Sequence, residues 1–242
     1  MNTYPLVLLP GMNCSAALWD QLGLDRSTVL TPVLAETSLS RQVDRLLREL
    51  PPRFCLAGLS LGGIVAMALA RCAPERVDGL CLLSTNPRAP TRRQLATWSD
   101  QGAALAAGSS ARDLQHALLP VLLSPASLTA RPDVVRTTLA MADEIGTTVL
   151  AAQLRMQATR VDERPGLASI RCPTLIVAAT DDALCSVARH QEMNSLIPDS
   201  RLIVVPHCAH LSPLEQPAVV GQAIREWQQV VQRQTRRTLP AG

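Results

Sequence analysis

Lysine is missing from this chain: all 23 basic residues are arginine. That excludes a Schiff-base lysine, a P-loop lysine and a serine–lysine couple. Aromatic residues make up only 2% of the 242 residues, too few for a platform on which single-stranded nucleic acid stacks. A net charge of +3 leaves no basic footprint for a nucleic acid. No apolar run reaches the length that spans a bilayer. The opening Met1-Asn2-Thr3-Tyr4-Pro5 has no charged region ahead of an apolar one, so no signal peptide is expected. The cysteines (14, 55, 72, 81, 172, 185 and 208) are odd in number, and no two have Cys-x-x-Cys spacing. Several sit inside apolar runs, as small buried residues do, which argues against a disulfide framework and a zinc cluster. A reducing, cytoplasmic location is expected. With 47% hydrophobic residues, the chain is long enough to bury a full core.

What is present centres on Phe54-Cys55-Leu56-Ala57-Gly58-Leu59-Ser60-Leu61-Gly62-Gly63. An apolar run ends in Gly-x-Ser-x-Gly, and a helix-like run starts at once with Ile64, Val65, Ala66 and Met67. Strand, sharp turn and helix in that order force strain on the backbone at Ser60, and the flanking glycines let neighbouring chain close in. The hydroxyl is then held out over a helix N-terminus. Serine is a poor nucleophile alone; it needs a histidine to take its proton and an acid to orient that histidine.

The rest of the chain alternates. Leu6–Leu9 reads as a strand buried on both faces, and Pro10-Gly11 ends it. Asn13 or Ser15 caps a helix through about Leu22, and a second strand is expected over Thr28–Val33, with Pro32 at its end or on an edge. Leu39, Val43, Leu46, Leu47 and Leu50 share a helical face that Pro51-Pro52 terminates. Strands follow at Phe54–Leu59, Val77–Leu83, Thr174–Ala178 and Arg201–Val205. Helices are expected at Leu61–Arg71, Ser186–Leu196 and Pro217–Val231. Between Asn86 and Arg160 only helix-like segments occur: 92–105, 111–123, 132–141 and 147–158.

This predicts an α/β fold with a mostly parallel sheet of about six strands and helices on both faces. The core comprises residues 1–85 and 161–231, a helical cap is inserted over 86–160 after the fourth strand, and 232–242 form a disordered tail. Such sheets do their chemistry beyond the carboxyl ends of the strands. Three loops there carry suitable groups: Ser60; Asp181 or Asp182; and His207 or His210. The chain order serine, aspartate, histidine differs from the orders of chymotrypsin and subtilisin.

Four stretches carry a family resemblance: Leu8-Leu9-Pro10-Gly11-Met12, Gly58 to Gly63, Ala179-Thr180-Asp181-Asp182, and Cys208-Ala209-His210 through Pro217. With them the chain resembles the α/β-hydrolase family over nearly its whole length. The last stretch is similar to small bacterial members akin to 3-oxoadipate enol-lactonases and carboxylesterases. The resemblance implies Ser60 as nucleophile, Asp182 as orienting acid and His210 as general base. It implies an oxyanion hole from the backbone N–H groups of Met12 and Leu61; one such donor is worth roughly 3–4 kcal/mol of barrier. Many relatives have His-Gly where this chain has Pro10-Gly11. Proline cannot donate, but the Met12 amide can. The N-terminal hairpin of larger members is expected to be reduced or missing.

Asp181 is then expected as a solvated loop residue or helix cap. His207, His116 and His190 are expected outside the chemistry, the last two on helix surfaces. Cys14 and Cys208 are expected near the site as packing residues. Trp98, Leu105, Leu119, Met141 and Leu211 are candidates for the pocket wall. Arg88, Arg92 and Arg93 are expected on a solvated face, with an anionic substrate as the other reading. The expected activity is hydrolysis of a small carboxylic ester or lactone through an acyl-enzyme on Ser60, with no metal or organic cofactor. Thioester, carbon–carbon bond or perhydrolysis chemistry by the same residues, or a ligand-binding receptor with little turnover, are the alternatives. Expected partners are small molecules only, with neither nucleic acid nor membrane; the oligomeric state stays open.

Overall fold

The computed structural model describes residues 5–238. Six strands form one sheet in the order β2-β1-β3-β4-β5-β6, and every neighbouring pair is parallel. They are β1 (Leu6–Leu9), β2 (Val29–Leu30), β3 (Phe54–Leu59), β4 (Val77–Leu83), β5 (Thr174–Ala179) and β6 (Ser200–Val205). Parallel strands need crossovers, and helices supply them. Among them are α1 (Leu39–Glu49), α2 (Leu61–Cys72) and α8 (Val187–Leu196); α9 (Ser212–Glu215) and α10 (Pro217–Thr238) follow the last strand.

Alternate side chains of each strand enter opposite layers. Leu6, Leu8, Ala57, Leu59, Cys81, Leu83 and Val177 pack on one face with Val220, Ile224 and Trp227 of α10. Val7, Leu9, Leu56, Leu82 and Ile176 pack on the other with Leu46 of α1, Ile64 and Met67 of α2, and Met193 of α8. Burial on both faces is why the inner strands read as unbroken apolar runs.

Between β4 and β5 the described chain is helical: α3 (Arg92–Ala106), α4 (Ala111–Leu122), α5 (Pro125–Ala130), α6 (Pro132–Ala158) and α7 (Arg164–Leu167). Thr91 and Ser110 start α3 and α4 with reciprocal capping boxes to Gln94 and Asp113. The two segments expected at 132–141 and 147–158 are one helix broken at Gly146, where φ is 72°.

Several expectations need correcting. The second strand shrinks from Thr28–Val33 to Val29–Leu30, because Pro32 has no N–H for a ladder. The helix expected through Leu22 is a single tight turn, Ala16–Trp19, capped by the Ser15 side chain. The tail expected to be disordered from residue 232 is helical as far as Thr238, continuing α10; residues 239–242 lie outside the described residues. No helix among the described residues is long and apolar enough to cross a membrane.

Candidate active site

Ser60 sits between β3 and α2 with φ 54° and ψ −113°, a left-handed conformation that a serine adopts only under constraint. The constraint is close packing of backbone. A Cβ built on Gly62 would lie 2.0 Å from the Leu9 carbonyl oxygen, and one on Gly58 would lie 2.3 Å from the Gly62 carbonyl oxygen. The elbow is pinned from the sheet as well. The Ser60 N–H donates to the Leu83 carbonyl at 3.0 Å, and the Thr85 hydroxyl donates to the Ser60 carbonyl at 2.8 Å.

Beyond the ends of β5 and β6, Asp182 and His210 meet. They are 5% and 3% exposed, and His210 Nδ1 lies 2.9 Å from Asp182 Oδ2. Asp182 Oδ1 accepts from the Leu184 and Cys185 amides at 2.9 and 2.8 Å. Burial pushes the Asp182 carboxyl up; the attraction and hydrogen bond of His210 and the two amides outweigh it and hold the group below the usual carboxylate range. An ionised carboxylate only accepts, so Nδ1 carries the proton. In a neutral ring Nε2 is left as the acceptor. Asp181, the neighbour, is exposed, as are His207 and His116.

Ser60 and His210 line one pocket of about 280 Å³, together with Met12, Cys14 and Leu211. Leu61 opens α2, so its N–H is one of the unpaired donors of a helix's first turn, while its side chain packs in the core. In the loop after β1, the Asn13 amide donates to Gln153 Oε1 at 2.8 Å and the Cys14 amide to the Gly11 carbonyl at 3.2 Å. The Met12 amide just before them has no acceptor among the described residues.

Two buried polar joints tie the inserted helices to these loops. Asn13 donates from Nδ2 to the Ala111 carbonyl and to Gln115 Oε1 of α4, at 3.0 and 2.9 Å, while Gln153 of α6 accepts from its amide. On the other side, the Glu215 carboxylate accepts from the Ala209 amide at 2.7 Å and from the Ser124 amide at 2.9 Å.

The pocket wall differs from the expected one. Trp98 and Leu211 line it; Leu105, Leu119 and Met141 do not. Leu105 packs between α3, α4 and α6, and Leu119 and Met141 turn into the core beneath. An apolar face on a helix serves helix packing first. Arg88 pairs with Glu192 at 2.7 Å, Arg92 is exposed, and Arg93 lines the pocket. Cys14 lines the pocket, whereas Cys208 is buried away from it. Sequence reasoning missed Gln94, Gln101, Gln115, Gln157 and Arg160, all on the wall. The available signal was Gln153 and Gln157, at i and i+4 on one face of a helix otherwise apolar there, with Arg160 just beyond its end.

His190, expected at the surface, is 0% exposed. Its Nε2 accepts from the Thr85 amide at 3.2 Å and Nδ1 lies 3.0 Å from the Ser186 carbonyl, so the ring is neutral and supports the residue that braces the elbow. Burial pulls its pKa below the ordinary histidine value, with Asp182 opposing and His210 adding to the shift. Unfolded, the ring takes its proton near pH ~6.5. The unfolded chain therefore binds more protons between that value and the depressed native one. Stability is full above about pH 6.5 and falls below it, by at most about 1.4 kcal/mol per pH unit. Melting temperatures from pH 7.5 to 5 should drop more steeply for the natural chain than for His190→Gln; parallel curves would refute this.

Asp182, Cys185 and His210 also place one ligand atom each within 4.8 Å of one another, as a metal site does. The hydrogen bonds already made there describe an orienting couple: both Asp182 oxygens are engaged by N–H donors, and His210 Nδ1 is one of those donors.

A strained serine at a strand–helix elbow and a buried histidine–aspartate couple, at the carboxyl edge of a parallel sheet, define a class of hydrolase architecture. The chain belongs to the alpha/beta hydrolase family, whose model matches residues 6–223. It is 31% identical to the pimeloyl-[acyl-carrier protein] methyl ester esterase of Aromatoleum aromaticum, over 90% of this chain and 95% of that one. Among solved structures it is similar to a malate-bound thermophilic esterase from Thermogutta terrifontis, with TM-score 0.83 and 26% identity over 94% and 90% of the two chains. The enol-lactonase of Burkholderia xenovorans shares the fold, with TM-score 0.80 and 18% identity over 93% and 91%.

Proposed function

We propose that the chain is a serine hydrolase that cleaves a small carboxylic ester or lactone through an acyl-enzyme on Ser60. The observation that carries this reading is the buried His210–Asp182 couple at 2.9 Å, sharing a pocket with the strained Ser60. Ser60 Oγ attacks the carbonyl carbon and its proton passes to His210 Nε2. The charge that builds on the carbonyl oxygen is met by the amides of Met12 and Leu61. His210 returns the proton to the leaving alkoxide, and the acyl group stays on Oγ. A water molecule, deprotonated by the same nitrogen, then attacks the acyl carbon, and His210 passes that proton to Ser60 Oγ as the acid leaves. Asp182 keeps the proton on Nδ1 and stabilises the imidazolium. The methyl ester named for the Aromatoleum relative supports an ester as the scissile bond.

A fluorophosphonate probe tests the assignment. One adduct should form, map to Ser60 by peptide mass, and abolish turnover of p-nitrophenyl acetate in proportion to labelling. An adduct elsewhere, or full activity after complete labelling, would remove Ser60 from the chemistry. Labelling without multiple turnover on any ester, lactone or thioester would instead favour a ligand receptor.

A further inference from the structure

Arg160 follows the last turn of α6 and is 7% exposed, yet its guanidinium has no carboxylate partner among the described residues. Nη1 donates to Gln157 Oε1 and Nη2 to Gln94 Oε1, each at 3.2 Å. Its carbon stands 5.3 Å from the centre of the Trp98 ring. Nε is buried and meets no acceptor. The residues holding the guanidinium, Gln94, Trp98 and Gln157, line the same pocket as Ser60 and His210, and so does Arg160. Arg93 adds a second positive charge, and no aspartate or glutamate lines that pocket among the described residues.

A guanidinium is costly to bury without an anion, because neutral amides replace only part of its hydration. Burial accordingly pulls its pKa below the ordinary arginine value, although an arginine stays charged. Other buried or half-buried acids of the chain have found arginines: Asp78 with Arg53, and Glu163 with Arg71. Arg160 is held over an indole, with donors left over, on the wall of a cavity of about 280 Å³. That is a preorganised fork with its partner missing.

We infer that Arg160, held by Gln94, Gln157 and Trp98, binds a free carboxylate on the substrate, so that the preferred ester or lactone carries a second, ionised carboxyl group. This rests on the ester-cleaving reading and narrows its substrate class to half-esters of dicarboxylic acids and lactone acids. Arg160 then acts on specificity. It selects by pairing with a group remote from the scissile bond, and a neutral ester leaves the fork desolvated and unmatched.

The test pairs monomethyl esters of succinic, glutaric and adipic acid with their neutral dimethyl esters. For at least one chain length, kcat/KM for the half-ester should exceed that for the diester by about tenfold or more. Arg160→Gln should lower half-ester kcat/KM by about 100-fold, mainly through KM, and lose far less on the diester, so that the preference for the half-ester disappears. Arg160→Lys should recover only part, because an ammonium lacks the planar fork. A readout without turnover accompanies these: calorimetric titration of the natural chain with succinate, glutarate, adipate, adipamide and inorganic phosphate. A dicarboxylate should bind and the diamide should not. This measurement does not depend on the variant folding. Half-esters that react no faster than diesters at any length would overturn the inference. So would equal losses on both substrates in Arg160→Gln, or phosphate binding in place of every dicarboxylate. Failure of the ester chemistry reads differently: no ester turns over, while a dicarboxylate still binds and Arg160→Gln abolishes that binding.

Discussion

Asp182→Asn should lower kcat by about four orders of magnitude while the fold and KM stay close to natural. The local hydrogen bonds dictate how the new amide must lie. The Leu184 and Cys185 N–H groups both point at the Oδ1 position, from 2.9 and 2.8 Å, so the amide oxygen belongs there. The amide NH₂ is then turned toward His210, where Asp182 Oδ2 accepts at 2.9 Å in the natural chain. A donor facing Nδ1 forces that nitrogen to accept, and the ring proton moves to Nε2. The nitrogen that should take the Ser60 proton is then occupied. The loss is one of tautomer as well as charge, so it should appear in kcat for the burst of acylation. Steady-state and pre-steady-state rates with a p-nitrophenyl ester, set beside circular dichroism spectra, check it. A loss below about tenfold would remove Asp182 from the orienting role.

Gly62→Ala should cost more stability than almost any other single methyl in the chain, at least about 4 kcal/mol. A Cβ there would lie 2.0 Å from the Leu9 carbonyl oxygen and 2.7 Å from that of Pro10. Both obstacles are backbone. Leu9 belongs to β1, which is paired on both sides, with its partner across β3 at Gly58. Relief would have to move a sheet strand or lift α2 off the sheet, and either step opens the two cores that the strands separate. The expected result is failure to accumulate folded protein, or a melting temperature lower by 10 °C or more for a chain of this length, as an order-of-magnitude figure. Thermal unfolding followed by circular dichroism decides it. A change of only a few degrees would show that the elbow has room that its geometry denies.

How much of this was legible beforehand follows from range. The inner strands, α1, α2 and the elbow announced themselves, because burial on both faces writes unbroken apolar runs, and a nucleophile turn needs small residues at fixed spacing. Met12, Ser60, Asp182 and His210 were picked out by four short motifs as candidates, and the structure brings His210 against Asp182 and into the pocket that holds Ser60 and Met12. The pocket wall was illegible for the opposite reason. Leu105, Leu119 and Met141 looked like lining because they are large and apolar, but that is equally the signature of packing between helices. The true wall is rich in glutamine, and which face of a helix sees a cavity depends on how α3, α4 and α6 cross, a long-range property. His190 misled similarly: a lone histidine in a polar helix says nothing about the Thr85 amide that awaits it 105 positions earlier in the chain. The end of α10 was misjudged because the sequence from Gln232 to Thr238 has no apolar residue with which to signal a helical face.

Of the helices above the sheet, α4 and α6 are fastened to the loop after β1 through Asn13, and the α4–α5 junction to the His210 loop through Glu215. The helix α3 is joined to the end of α6 at Arg160, through Gln94 and Trp98, and Leu105 is its one buried residue among those described. Yet α3 carries Arg93, Gln94, Trp98 and Gln101 on the inner wall. On the inference drawn for Arg160, a guest whose carboxylate engages that corner would add one more tie to α3, and its dwell time would lengthen with what it offers there.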